Sequence, residues 1–243
     1  MEFAVIGGTG LIGSQVVRDL NAAGHDAVPH ALSTGVDVIT GEGLDAALAG
    51  AEVVVNLTNS PTFDEASPEF FRTSMDNLVA GAVRADAGHV VVLSIVGVDR
   101  VPELDYYRAK TLQEDVLKAG PVPYSIVRAT QFMEFIDAVL SWTADGDTVR
   151  LPRTLLQPLA AAEVAATVAE VAAGAPLNGT LDLAGPEVYP LDELGRITLA
   201  ARGDTRSVTV DGSAGLFAVV RPDVLVAGEG ARIASTRYTD WLR

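Results

Sequence analysis

The sequence predicts an α/β chain built on a doubly wound parallel sheet, and three observations carry that prediction. The apolar run Phe3-Ala4-Val5-Ile6 leads straight into Gly7-Gly8-Thr9-Gly10-Leu11-Ile12-Gly13 and then into an amphipathic stretch through Leu20, which reads as strand, glycine turn and helix. Strand-like and helix-like stretches then alternate, separated by short Gly- and Pro-marked connections. With 243 residues, 49% of them hydrophobic, the chain can bury a sizeable core. The expected organisation is one Rossmann-type domain over residues 1–243, in which residues from about 130 supply a small C-terminal, substrate-facing region and lid.

The opening motif is the most informative stretch. Gly7 allows the tight turn, Gly10 lets a dinucleotide pyrophosphate approach the backbone, and Gly13 lets the helix pack against the sheet. Thr9, Leu11 and Ile12 complete a cradle at the helix N-terminus, where unpaired N–H groups and the helix dipole favour phosphate. The spacing is G-x-x-G-x-x-G, a variant of the commoner dinucleotide fingerprint.

After this helix, Gly24 marks its end, residues 26–31 read as a second strand, Ser33-Thr34-Gly35 as a turn, and residues 36–40 as a short third strand. The end of the second strand is where a dinucleotide fold meets the adenosine ribose, and a carboxylate there would hold the 2′-hydroxyl. Residues 29–34 carry none. His30, Ser33 and Thr34 can instead donate to a 2′-phosphate, so NADP(H) is the preferred cofactor, with NAD(H) as the alternative. A short helix over 43–50 precedes a hydrophobic strand at 52–58, expected beside the first strand. Its carboxyl end brings Leu57, Thr58 and Asn59 to the ligand crevice. Ser67 caps and Pro68 starts the next helix, to about residue 86.

Further along, residues 89–94 read as a buried strand, 106–119 as a helix, 124–128 as a strand and 131–142 as a helix. Beyond them come a strand at 148–151, helices at 161–173 and 191–201, and strands at 180–183 and 206–210. Trp241, near the C-terminus, reads as a packing anchor.

Composition excludes several functions. Thirty-two acidic against 17 basic residues give a formal charge of −15, an unfavourable field for DNA or RNA phosphates. Without cysteine there is no thiolate catalysis or disulfide, and His25, His30 and His89 are scattered without metal-ligand spacing, so no catalytic metal is expected. No apolar run reaches the length of a membrane span. The expected setting is cytoplasmic, with a small-molecule substrate, no membrane or nucleic-acid partner, and homo-oligomerisation left open.

Carbonyl chemistry needs a proton donor beside the developing alkoxide. Tyr106 and Lys110 are four apart and share one helix face. Tyr106 can give the proton, Lys110 can favour its phenolate and hold the nicotinamide ribose, and Ser94, at a strand end, can polarise a carbonyl. Tyr107, three before Lys110, also reaches that lysine, so the choice between the two tyrosines stays open. Arg128, at a strand end, reads first as the partner of an interior acid, with orientation of a substrate carboxylate as the alternative.

On these residues, together with 53–58 and the stretch Tyr124-Ser125-Ile126-Val127-Arg128-Ala129-Thr130-Gln131-Phe132, the chain resembles the short-chain dehydrogenase/reductase superfamily, in its atypical, NmrA-like NAD(P)-binding branch. The resemblance implies that Ser94, Tyr106 and Lys110 are the catalytic serine, tyrosine and lysine. It also implies that Thr130, Gln131 and Phe132 form the substrate-side turn. The superfamily's proton-relay asparagine has no secure match, although Asn77 lies in the corresponding helix. The leading expectation is an NADP-dependent reductase of a carbonyl or conjugated carbon in a moderately hydrophobic substrate. Two alternatives are a redox sensor that binds NAD(P) without turnover, and an epimerase or lyase that uses NAD transiently.

Overall fold

The computed structural model describes residues 1–62, 65–221 and 223–243. In chain order the elements are β1 (Glu2–Ile6), α1 (Gly13–Ala22), β2 (Asp26–His30), α2 (Leu44–Leu48), β3 (Val53–Asn56), α3 (Ser67–Arg84), β4 (His89–Ile95), α4 (Asp105–Ala119) and β5 (Tyr124–Ala129). They continue as α5 (Ile136–Trp142), β6 (Ala144–Asp145), β7 (Thr148–Leu151), β8 (Leu155–Leu156), α6 (Ala161–Ala173) and β9 (Gly179–Ala184). The chain ends with β10 (Tyr189–Pro190), α7 (Leu191–Arg202), β11 (Ser207–Val210), β12 (Arg232–Ile233) and α8 (Tyr238–Trp241). The predicted alternation and its parallel, Rossmann-type central sheet are both present.

Two compact units divide the chain. The first holds Met1–Ser94, Leu104–Arg128 and Ala162–Leu181. Its strands run in the order β2-β1-β3-β4-β5-β9. β1 pairs in parallel with β2 on one side and, as expected, with β3 on the other. Chain order therefore reverses between β1 and β3, and the carboxyl ends at such a switch point are where open α/β sheets bind ligands. Val53, Val54 and Val55, and likewise Val90, Val91 and Val92, are all buried regardless of the face they occupy. That is why these strands read as continuous apolar runs rather than alternating ones. Ala4, Ile6, Val54, Val90, Val92 and Ile126 from the strands pack with Leu44, Leu48, Met75, Leu78 and Leu117 from α2, α3 and α4.

Two sequence expectations in this unit are corrected. Residues 36–40 form no strand: Asp37 Oδ1 accepts the N–H groups of Ile39 and Thr40, and Gly41 N–H donates back to the Asp37 carbonyl. The side chain thus offers the backbone a turn in place of a ladder. β2 stays at the sheet edge, where Pro29 costs no ladder bond. Nor does Ser67 cap α3. The helix begins at Ser67 itself, whose hydroxyl donates to the Thr62 carbonyl at 2.8 Å and lies 3.2 Å from Ser60 Oγ.

The second unit holds Ile95–Glu103, Ala129–Ala161 and Asp182–Arg243. Within it β12 pairs in parallel with the end of β9, Arg232 and Ile233 against Leu183 and Ala184, β11-β7-β6 form a three-stranded sheet, and β8 pairs with β10. The helix expected over 131–142 begins only at Ile136, because Leu159 N–H donates to the Gln131 carbonyl and Met133 N–H to that of Leu159. Trp241 does pack: its ring stacks on Tyr238 at 5.9 Å and 17°. Tyr238 is fully buried, its hydroxyl 2.7 Å from Thr198 Oγ1.

Candidate active site

The site in the first unit starts from the glycine loop. Gly7 has φ +80°, and a Cβ there would lie 2.8 Å from the Leu57 carbonyl carbon and oxygen, so the segment after β3 packs directly on the loop. A Cβ on Gly8 would strike the Val5 carbonyl at 2.6 Å, and one on Gly13 would strike the Gly7 carbonyl at 2.2 Å. Gly10 differs. Its Cβ would meet nothing among the described residues but the Gly7 carbonyl, at 3.4 Å. The protein's own packing explains three of the four glycines, and the open space over Gly10 fits the pyrophosphate approach inferred from sequence.

The loop's hydrogen bonds agree. Gly7 and Gly8 N–H both donate to the His30 carbonyl, tying loop to β2, and Gly10 N–H donates to Gly7. No side chain caps α1; the Ser14 N–H donates to the Gly10 carbonyl and those of Gln15 and Val16 to the Ile12 carbonyl, and Thr9, Gly10 and Leu11 stand exposed at this helix end while Ile12 is buried beneath. These features fit a bound dinucleotide phosphate. At the end of β2, partly buried His30 has its pKa lowered by burial, Ser33 is exposed, and Thr34 both accepts the Ala31 N–H and donates to the Ala31 carbonyl. Thr34 is thus engaged in holding the turn, leaving Ser33 the more accessible hydroxyl.

At the end of β3, Leu57 N–H donates to the Ile6 carbonyl, and the Thr58 N–H and hydroxyl both donate to Asn56 Oδ1. Asn59 is exposed, and its Oδ1 accepts the Tyr106 hydroxyl at 2.5 Å. A residue read as a cofactor contact and a residue read as a proton donor are thereby joined across 47 positions of sequence. Burial pushes the Tyr106 phenol up to about 12, against a smaller opposing effect of the Asn59 bond. Tyr107 is also buried, and its phenol is raised by burial and by the neighbouring Tyr106. Of the two, Tyr106 is the tyrosine whose hydroxyl reaches the end of β3.

Lys110 is buried on the same face of α4. Its Nζ donates to the Leu93 carbonyl at 2.7 Å and to Gln113 Oε1, and lies 4.9 Å from the centre of the Phe71 ring. Phe71 in turn packs edge-on against Tyr106. Burial pulls the lysine down to about 7, opposed by the negative charge of Glu114.

Ser94 donates its hydroxyl proton to Glu114 Oε1 at 2.6 Å. Glu114 is fully buried and also accepts Arg128 through Nε at 2.8 Å and Nη2 at 2.7 Å, and Lys118 at 3.0 Å. Burial alone would raise this carboxyl, but the bonds from Arg128, Ser94 and Lys118, with the arginine's charge, hold it below the usual carboxylate range. Arg128 therefore is the partner of an interior acid, as the sequence suggested. Each member of the predicted Ser94, Tyr106, Lys110 set is bonded to its own partner.

Sequence reasoning missed Glu114, Gln113 and Phe71. The signal for Glu114 was its position four after Lys110 and eight after Tyr106, on the face those residues define. Asn77, the weak relay candidate, donates its amide to the Val38 and Ile39 carbonyls and so holds the loop that replaces the expected strand.

Thr130, Gln131 and Phe132 lie in the second unit. The Thr130 hydroxyl donates to the Gln157 carbonyl. Gln131 donates to the Leu225 carbonyl and accepts the Gln157 N–H, and Phe132 bridges to Leu159. Gln157 holds the same unit together from its own amide, which donates to the Gly185 carbonyl and accepts the Ala227 N–H.

A family model described as NAD(P)H-binding matches residues 7–174. No curated protein matches the sequence. Among solved structures, MoeE5 in complex with UDP-glucose and NAD shares 19% identity at a TM-score of 0.73, covering 100% of this chain and 96% of that one. A dTDP-4-dehydrorhamnose reductase from Clostridium acetobutylicum shares 16% at 0.72, covering 96% and 95%. DesIV, a dTDP-glucose 4,6-dehydratase from Streptomyces venezuelae with NAD bound, shares 19% at 0.70, covering 87% and 85%. At these identities the likeness is one of fold.

Proposed function

The chain belongs to the NAD(P)H-binding family, and we propose that it is a reductase, preferring NADP(H), of a carbonyl or conjugated carbon in a small, moderately hydrophobic substrate. The observation that carries this reading is the buried pair on α4. Tyr106 and Lys110 share one helix face, and the Tyr106 hydroxyl reaches Asn59 at the carboxyl end of β3, the segment that packs on the glycine loop.

When bound, the dinucleotide supplies the hydride. The chain's residues supply position and the proton. The N-terminus of α1, which no side chain caps, and the space over Gly10 receive the pyrophosphate, and the lack of a carboxylate at residues 29–34, with Ser33 exposed, favours the 2′-phosphate. Tyr106, with its phenol near 12, is protonated at neutral pH and gives that proton to the oxygen that becomes an alcohol; solvent then reprotonates the phenolate. Lys110, fixed by the Leu93 carbonyl and Gln113, stands one helical turn away and favours the phenolate when it carries its own proton.

The test is NADPH oxidation over a panel of carbonyls and quinones, with NADH in parallel. Turnover that falls by roughly 10²–10⁴-fold in Tyr106→Phe supports the reading. No turnover on the panel, or none lost in the variant, overturns it. A second reading, a sensor that binds NAD(P) without chemistry, is favoured by one observation: Ser94 and Lys110 are bonded to Glu114 and Gln113 rather than to Tyr106. It expects tight binding with no dependence on Tyr106.

A further inference from the structure

The Ser94 hydroxyl has one hydrogen, and that hydrogen goes to Glu114. Glu114 is a fully buried carboxylate whose two oxygens are met by four donors: Ser94 and Arg128 Nε on Oε1, Arg128 Nη2 and Lys118 on Oε2. An ionised carboxylate can only accept, so the direction of the Ser94 bond is fixed. Turning the hydroxyl away would take a charge-assisted bond from a buried anion, among the costlier bonds to break in an interior. What Ser94 has left to offer at the end of β4 is lone pairs. A carbonyl oxygen placed against it would set acceptor against acceptor.

We propose that Ser94 meets bound ligand as a hydrogen-bond acceptor, that Glu114 is the positioning residue that makes it one, and that the ligand group lying against Ser94 carries an N–H or O–H. This rests on the NAD(P)H-binding reading and reverses the polarity that the superfamily resemblance implied for Ser94. Two sources share the chemistry: the carboxamide N–H of a nicotinamide ring, and the hydroxyl of an alcohol substrate.

The experiment measures dissociation constants, without turnover, for NADPH and for the reduced 3-acetylpyridine analogue, in which a methyl replaces the carboxamide NH2. Wild type, Ser94→Ala and Glu114→Gln are compared, with circular dichroism to check folding. If the carboxamide is the donor, wild type binds NADPH about tenfold more tightly than the analogue, the size of one hydrogen bond, and both variants lose the preference. If an alcohol is the donor, none of the three proteins discriminates, and Ser94→Ala raises KM for alcohol oxidation while kcat holds. A Ser94→Ala that loses about 100-fold in kcat for carbonyl reduction with binding and KM unchanged would show a donor and overturn the proposal, as would a variant unchanged in every constant. Discrimination that survives in a folded Glu114→Gln overturns the role of Glu114. Should that variant not fold, Ser94→Ala alone decides the polarity. Binding of neither dinucleotide removes the family reading itself, and the proposal with it.

Discussion

Gly10→Ala and Gly13→Ala differ by three positions and one methyl group each, yet the structure separates their consequences. At Gly13 the new methyl carbon would sit 2.2 Å from the Gly7 carbonyl and 2.7 Å from the Gly8 Cα, backbone against backbone, so the helix must move off the loop. Overpacking of that kind costs about 1–3 kcal/mol, which for a chain of this length is a fall in Tm of about 2–12 °C. At Gly10 the methyl meets only the Gly7 carbonyl at 3.4 Å, an adjustment of a few tenths of an ångström. The stiffer unfolded chain offsets it by about 0.4–1 kcal/mol, leaving Tm near wild type. The dinucleotide pays instead, because a methyl in the space above Gly10 holds its phosphates off the α1 N-terminus. Loss of one charge-assisted hydrogen bond, about 1.5–3 kcal/mol, corresponds to roughly 10- to 150-fold in Kd. Thermal melts together with NADPH fluorescence titration measure both quantities. A Gly10→Ala protein that binds NADPH like wild type, or a Gly13→Ala protein that melts like wild type, would refute the assignment of the two glycines to ligand and to packing.

Three further outcomes follow from the buried polar groups. Glu114→Ala leaves the Arg128 guanidinium without its bidentate partner and should cost about 3–5 kcal/mol in urea denaturation, whereas an exposed pair such as Arg202–Asp137 should cost under about 1 kcal/mol when broken. Lys110 is held near 7 in the folded protein, so between that value and the unfolded lysine's about 10.4 the unfolded chain holds a proton the folded one has released. Stability should therefore rise with pH from about 7 towards 10, by up to about 1.4 kcal/mol per unit, and Lys110→Met should flatten that rise; above about pH 10 the raised Tyr106 phenol reverses the sign. His89, buried with its Nε2 2.8 Å from Ser125 Oγ, has its pKa pulled down by burial, so its contribution is present above about pH 6.5 and lost as pH falls below it. His89→Gln should remove that acid limb in pH-dependent denaturation.

The carboxyl ends of β1 and β3 were legible from the chain, and so was most of what surrounds them. The expected strand at 36–40 and the expected cap at Ser67 were not, because each turned on a side-chain bond that competes with the local pattern: Asp37 to Ile39, and Ser67 to Thr62. The two-residue strands β8 and β10 are too short to leave a periodicity, and they exist because residues about 33 apart happen to meet.

By itself the sequence determined the parallel sheet, through apolar runs buried on both faces, and the glycine loop, because three of its glycines stand where no Cβ fits. It also placed Tyr106, Lys110 and the unseen Glu114 on one helix face, since that follows from 3.6 residues per turn. Only tertiary structure decided which groups bond: Tyr106 with Asn59, Lys110 with Gln113 and the Leu93 carbonyl, Ser94 with Glu114. Periodicity is local and states which way a side chain points. A buried carboxylate and a solvated one on the same helix carry the same letter, and the partner that tells them apart, Arg128, arrives on another strand.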